Sequence, residues 1–199
     1  MAQNDQEDLL KLNLDEIGEK IRSCTRCHLS ETRTNAVPGE GSPNSEILFV
    51  GEGPGEQEDK QGRPFVGRAG NKLTEILNSV AIDRKDVFIT NVVKCRPPKN
   101  REPKPEESEA CLPYLEAQIA EINPEIIVTL GNTATKALLN NDQGITKVRG
   151  TFYNWRGNIQ VLPMYHPSYL LRYPSKEKGS PKYQTWKDIK KAKESLKSQ

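Results

Sequence analysis

Four short apolar runs, separated by stretches long enough for a helix, set the limits on this chain. They are Ile47–Val50, Val87–Val93, Ile126–Leu130 and Val161–Tyr165. Continuous apolar, β-branched runs of this length read as strands buried on both faces. Between them lie helical patterns. Asn71–Ala81 places Leu73, Ile76, Leu77 and Val80 at i, i+3, i+4 and i+7, one helix face. Pro105–Ile122 carries Leu115, Ile119 and Ile122 and is closed by Pro124. Gly131 opens a third helix, NTATKALL. Asp15–Ser23 reads as a short helix on Ile17 and Ile21, and Trp186 with Ile189 marks a helix near the C-terminus. Strands alternating with helices imply right-handed crossovers and an α/β fold with a mostly parallel sheet. Such sheets bind ligands beyond the carboxyl ends of their strands. The candidate segments are therefore Glu52–Gly55, Asn91–Arg101, the turn at Gly131, and His166–Arg172.

The first of these segments is unusual. GEGPGEQEDKQGRPFVGRAG, residues 51–70, holds six glycines and two prolines, with Phe65 set among polar neighbours. A strand running into glycine-rich backbone brings main chain close to something flat or charged. The second segment is basic: Lys94, Arg96, Lys99, Arg101 and Lys104 face a single acid, Glu102. Its prolines make it a shaped loop. The lysine-rich tail after Arg172 reads as a solvated face.

The 199 residues fit one domain, 1–199, with 1–14 as a loosely ordered or helical extension. No apolar run approaches the ~20 residues of a membrane span. The acidic start, MAQNDQEDLLK, is unlike a secretory signal, so a cytoplasmic protein is expected.

The four cysteines are Cys24, Cys27, Cys95 and Cys111. A cytoplasmic setting disfavours disulfides. Two occupants fit four thiolates: a structural zinc or an iron–sulfur cluster. Only Cys24 and Cys27 form a close pair, which tilts weakly toward the cluster. Either centre would pin the basic loop that starts at Cys95.

The glycine-rich stretch, then TNVVKCRPPKNREP, then HPSYLLRYP, with the C-x2-C ahead of them, resemble the family 4 uracil-DNA glycosylases over about residues 20–195. The resemblance implies a three-layer αβα sandwich on a four-stranded, mostly parallel sheet. It implies a [4Fe–4S] cluster on Cys24, Cys27, Cys95 and Cys111, with zinc the less favoured occupant. It implies a hydrolase that flips uracil from DNA, breaks its N-glycosidic bond and leaves an abasic site.

Each candidate then takes a role. Phe65 is the plate against the base, and Gly53 and Gly55 let backbone lie beside it. Asn91 reads the uracil edge, giving N–H to O4 and accepting from N3–H. His166 donates to O2 as the anion forms. Glu52 orients the water; the best-known branch carries its carboxylate one position later, where this chain has Gly53. Glu58 faces the C5 edge and rejects a methyl group. Arg68, Lys94, Arg96 and Arg101 meet phosphates, and Leu170, Leu171 and Arg172 form the wedge that enters the minor groove.

The partner is uracil-containing DNA, single- or double-stranded, and a monomer is expected. The alternative is a binder on the same fold, either non-catalytic or covalently trapping. The trapping branch carries a histidine in a basic insertion after the first motif; here Gly67–Gly70 runs on without it, which favours turnover.

Overall fold

The computed structural model describes residues 7–140 and 142–196. Its centre is a six-stranded sheet of β1 (Glu40–Gly41), β2 (Ile47–Gly51), β3 (Phe88–Asn91), β4 (Ile126–Leu130), β5 (Tyr153–Asn154) and β6 (Gln160–Met164), in the order β1-β3-β2-β4-β6-β5. The middle four, β3-β2-β4-β6, are parallel. The two additions to the expected four are antiparallel edge strands of two residues each. Two residues are too few to leave a period-2 pattern, so sequence reading passes over them.

Helices cover both faces, as the sandwich requires. Along β2 the side chains alternate. Leu48 and Val50 point into a core with Ile17 and Ile21 of α1 (Leu14–Arg22), Leu115 and Ile119 of α5 (Pro105–Ile122), and Leu138 of α6 (Asn132–Leu139). Ile47 and Phe49 point the other way, onto Leu73 and Leu77 of α4 (Arg68–Asn78) and Ile189 of α9 (Pro181–Leu196). The remaining helices are short: α2 (Leu29–Thr32), α3 (Glu56–Gln61), α7 (Ile145–Val148) and α8 (Pro167–Leu170).

Boundaries shift where local chemistry overrides the apolar period. α4 starts at Arg68, three residues before the expected start, because extended Gly67 caps it ahead of the first apolar residue. Within the N-terminal extension residues 7–9 are helical and Leu9 is buried in the α1–α5 core; residues 1–6 lie outside the described residues. Because β2 has β3 on one side and β4 on the other, strand order reverses there. That switch point is where an open parallel sheet offers a crevice at its carboxyl end.

Candidate active site

The exits of β2, β3, β4 and β6 meet at that crevice. Asn91, the last residue of β3, stands in register with Gly51, the last of β2. A Cβ on Gly51 would collide with Asn91 Oδ1 and with the Phe65 ring. The missing side chain is therefore what lets carboxamide and phenyl ring share one wall. The Phe65 ring centroid lies 5.9 Å from that of His166, with 35° between the planes. Asn91, Phe65 and His166 are thus near neighbours at the carboxyl end of the sheet.

Phe65 sits at φ 51°, a left-handed conformation unusual for an aromatic residue. The surroundings hold it there. Glu58 Oε1 accepts from the backbone N–H groups of Val66 (2.9 Å) and Gly67 (2.8 Å). Arg84 donates to the Pro64 carbonyl at 2.7 Å. Gly70, on α4, packs so closely on the Phe65 backbone that a Cβ there would overlap it.

Asn91 is 1 % exposed, and its Oδ1 is one of two buried side-chain oxygens or nitrogens without a partner among the described residues. Buried acceptors are seldom left unpaired, and an orphan in a crevice points to a ligand. His166 caps α8: its Nδ1 accepts from the Ser168 N–H at 3.2 Å and lies 2.7 Å from Ser168 Oγ. A backbone N–H can only donate, so Nδ1 is the acceptor and the ring proton rests on Nε2. Burial pushes His166 down to about 4, against a smaller opposing pull from Glu58, so the imidazole is neutral at pH 7. Gly131, at φ 93°, places the exit of β4 against the His166 side chain.

Glu52 Oε2 accepts from Thr133 Oγ1 at 2.5 Å, and the same hydroxyl lies 3.1 Å from Glu102 Oε1. Burial raises the Glu52 carboxyl above its ordinary value, Thr133 counters this, and Glu102 adds to it. The result is a partly desolvated carboxylate held in one orientation directly after β2.

The sequence of residues 38–190 matches the family model of the Uracil DNA glycosylase superfamily. A type-4 uracil-DNA glycosylase of Thermotoga maritima is 54% identical over 86% of this chain and 88% of its own length. The chain belongs to the type-4 uracil-DNA glycosylase family. A type-4 enzyme of Sulfurisphaera tokodaii is 52% identical over 83% of this chain and 79% of its own. A type-5 uracil-DNA glycosylase of Thermus thermophilus is more distant, at 35% over 66% and 68%.

The four cysteines of this family member gather on one side of the sheet. Cys24 and Cys27 lie between α1 and α2, Cys95 follows β3, and Cys111 is on α5. All four are free thiols and line a single void walled by Ile21, Ala110 and Tyr114. Donors already face the sulfurs: Arg33 Nη1 at 2.9 Å from Cys95, the Lys94 N–H at 3.3 Å from Cys111 and the Arg26 N–H at 3.5 Å from Cys24. Burial pushes the thiols of Cys27 and Cys95 up, and that of Cys111 up to about 12. Each must shed its proton to bind a metal. Among the described residues no group of three or more His, Cys, Asp or Glu is drawn together tightly enough to hold one metal ion.

Two of the expected DNA contacts are corrected. Lys94 is 1 % exposed, its ammonium bonded to Thr90 Oγ1 (2.6 Å), the Asn91 carbonyl (2.8 Å) and Gln118 Oε1 (2.6 Å). It cannot reach a phosphate. Burial drives it down to about 7, while the neighbouring thiols of Cys111 and Cys95 pull it back. Leu170 is 1 % exposed and belongs to the core with Leu73 and Tyr165, so it is no wedge. In LL the first leucine faces inward and only Leu171 is presented.

The other expected contacts are differently placed. Arg68 and Arg172 are exposed, and Arg96 is half-buried with its Nε donating to Asn100. Arg101 grips the buried Glu107 through two hydrogen bonds, 2.8 and 2.6 Å. Three site residues were missed by sequence reasoning: Thr133, Glu102 and Ser168. Ser168 carried a signal, since His-Pro-Ser after a strand places a side chain two residues on at a helix start. Thr133 and Glu102 come together only through the fold.

Proposed function

We propose that this protein flips uracil out of DNA and hydrolyses its N-glycosidic bond, releasing the free base and leaving an abasic site. One observation carries the reading. A buried acceptor without a partner, an aromatic ring and a neutral imidazole N–H stand close together at the switch point of the sheet. That set matches the edge, the plane and the developing charge of an unstacked uracil.

In this reading uracil lies on Phe65. Asn91 Oδ1 accepts from uracil N3–H, and the amide N–H of the same side chain donates to O4. Cytosine has no proton on N3 and an amino group at C4, so both contacts would oppose like groups. As the bond from C1′ to N1 breaks, its electron pair passes into the base and gathers at O2. His166 Nε2–H stabilises it there, a contribution of about 3 kcal/mol for a well-aimed donor. Water then adds to C1′ and yields a proton to Glu52, whose raised basicity follows from its burial. Gly53 and Gly55 leave room beside this water path. Glu58 fixes the Phe65 loop through Oε1 and remains the proposed group at the C5 edge of uracil. Arg68, Arg96, Arg101, Leu171 and Arg172 remain the proposed contacts to the DNA backbone and groove.

The thiol set supports an iron–sulfur cluster over zinc. Four sulfurs line one void without closing on a point, whereas a tetrahedral zinc draws its thiolates to about 2.3 Å. N–H donors aimed at three sulfurs suit thiolate ligands, and an apolar wall shields them. Bound there on Cys24, Cys27, Cys95 and Cys111, a [4Fe–4S] group would act as a cross-link between the N-terminal loop, the exit of β3 and α5.

The deciding assay is release of free uracil from a uracil-containing oligonucleotide, with His166→Ala and Asn91→Ala beside the parent. Each variant is expected to lose roughly 100-fold in rate. Full activity in both would sink the assignment. Absorbance at about 400 nm, absent from the Cys95→Ser protein, would establish the cluster.

A further inference from the structure

Residues 172–193 hold eight Lys or Arg against two Asp or Glu, in a chain whose net charge is only +2. The rest of the molecule is therefore acidic on balance, and the excess of cations sits on one segment. Exposed apolar groups collect beside it. Of the four large apolar side chains exposed among the described residues, three are Leu171, Tyr173 and Trp186.

A groove of about 420 Å³ runs between α4, α8 and α9, floored by Ile76, Leu170, Tyr183 and Trp186 and rimmed by Lys176 and Lys182. The Tyr183 and Trp186 rings are 5.8 Å apart. Lys182 Nζ donates to the Pro174 carbonyl at 3.2 Å, which ties the loop after Tyr173 to the start of α9. Glu75, the acid on the groove wall, is paired with Lys72. Leu170, which lines this groove, ends the short α8 that His166 caps, so one helical turn links the groove to the proposed pocket.

Aromatic faces alternating with lysines, in a concave apolar bed, match one ligand chemistry in particular. Single-stranded nucleic acid stacks its bases on aromatic rings and runs its phosphates past cations. A duplex keeps its bases stacked inside and has no use for Trp186. We propose that this groove is a track for single-stranded DNA flanking the flipped nucleotide, with a base stacked on Trp186 and phosphates on Lys176 and Lys182. The choice of DNA as ligand rests on the preceding reading, but the track is a separate site.

The experiment measures binding without excision. Fluorescence anisotropy follows an oligothymidine of about 16 nucleotides, the upper end of single-strand site sizes. Trp186→Ala is expected to weaken it about fivefold or more, since stacking is worth about 1–3 kcal/mol per base, whereas Trp186→Phe keeps most of the affinity. Lys176→Ala with Lys182→Ala should cut the slope of log K against log salt by about 1.4. Uracil release from a trinucleotide with uracil at its centre should stay at the parent rate in all three proteins.

Parent affinity and slope in Trp186→Ala and in the double variant would overturn the proposal. So would an equal loss on a duplex of the same length, which would mark a general electrostatic face. Loss on the trinucleotide would place the effect in the pocket and overturn it too, as would Trp186→Phe binding no better than Trp186→Ala.

Discussion

Replacing Lys94 by methionine separates two readings of the basic loop. Methionine keeps the length and the apolar stem and removes only the charged head. If the side chain reached a phosphate, the change would leave stability alone and lower the salt slope of duplex binding by about 0.9. In the structure the ammonium instead donates to Thr90, Asn91 and Gln118 inside the protein. Removing it strands those acceptors, at about 1–3 kcal/mol for each that is left unsatisfied. Thr90 Oγ1 keeps its donation to the Pro38 carbonyl at 2.8 Å, but its single proton then leaves Gln118 Oε1, 3.3 Å away, without a donor. The Asn91 carbonyl and Gln118 Oε1 share the loss. Relief from holding a buried cation offsets some of it. A net destabilisation of about 2–3 kcal/mol follows, with an unchanged salt slope. Urea unfolding of the purified protein reads the first quantity, and anisotropy across a salt series reads the second. Parent stability together with a slope lower by about 0.9 would refute the buried placement.

Three further outcomes are expected. Glu58→Ala releases two backbone N–H groups from a charged acceptor, each bond worth about 1.5–3 kcal/mol; kcat/KM on uracil DNA should fall about 10–100-fold, while Glu58→Gln, which keeps a carbonyl at that point, retains most activity. His166 titrates near 4 when folded and near 6.5 when unfolded, so between those values the unfolded chain binds more protons and stability rises with pH; thermal melts at pH 4 to 7 should show a shallower rise in His166→Gln. Thr133→Val removes the hydroxyl that lowers the Glu52 carboxyl, so the acid limb of the kcat/KM profile should move to higher pH, and a move downward would contradict the assigned hydrogen bond.

The sheet was legible because its four central strands are buried on both faces and read as unbroken apolar runs. Its two edge strands were not, since Glu40–Gly41 and Tyr153–Asn154 pair through backbone that leaves no side-chain pattern. Strand ends carried the candidate site in the same way: His166 directly follows an apolar run, Glu52 stands two residues past one, and Asn91 ends β3 inside another. Lys94 and Leu170 were misread for a shared reason. Linear sequence gives residue type and neighbourhood but not inside from outside, and a cation in a basic loop or one leucine of a pair can point either way. Lys94 turns inward because Thr90 and Gln118, one of them on a distant helix, supply acceptors. Thr133 and Glu102 join Glu52 across 81 and 50 positions of chain, beyond the reach of any local motif.

Gly51 and Gly70 have a consequence for how freely this protein can vary. Both are empty places against which Phe65 is moulded, one on the ring and one on its main chain. Even a methyl group at either position would shove the benzyl side chain toward the cavity it borders, shrinking the berth from within. The tolerance of the pocket to change is thus governed by two residues that would never touch the base, and alanine at either should be harsher than many substitutions nearer the chemistry.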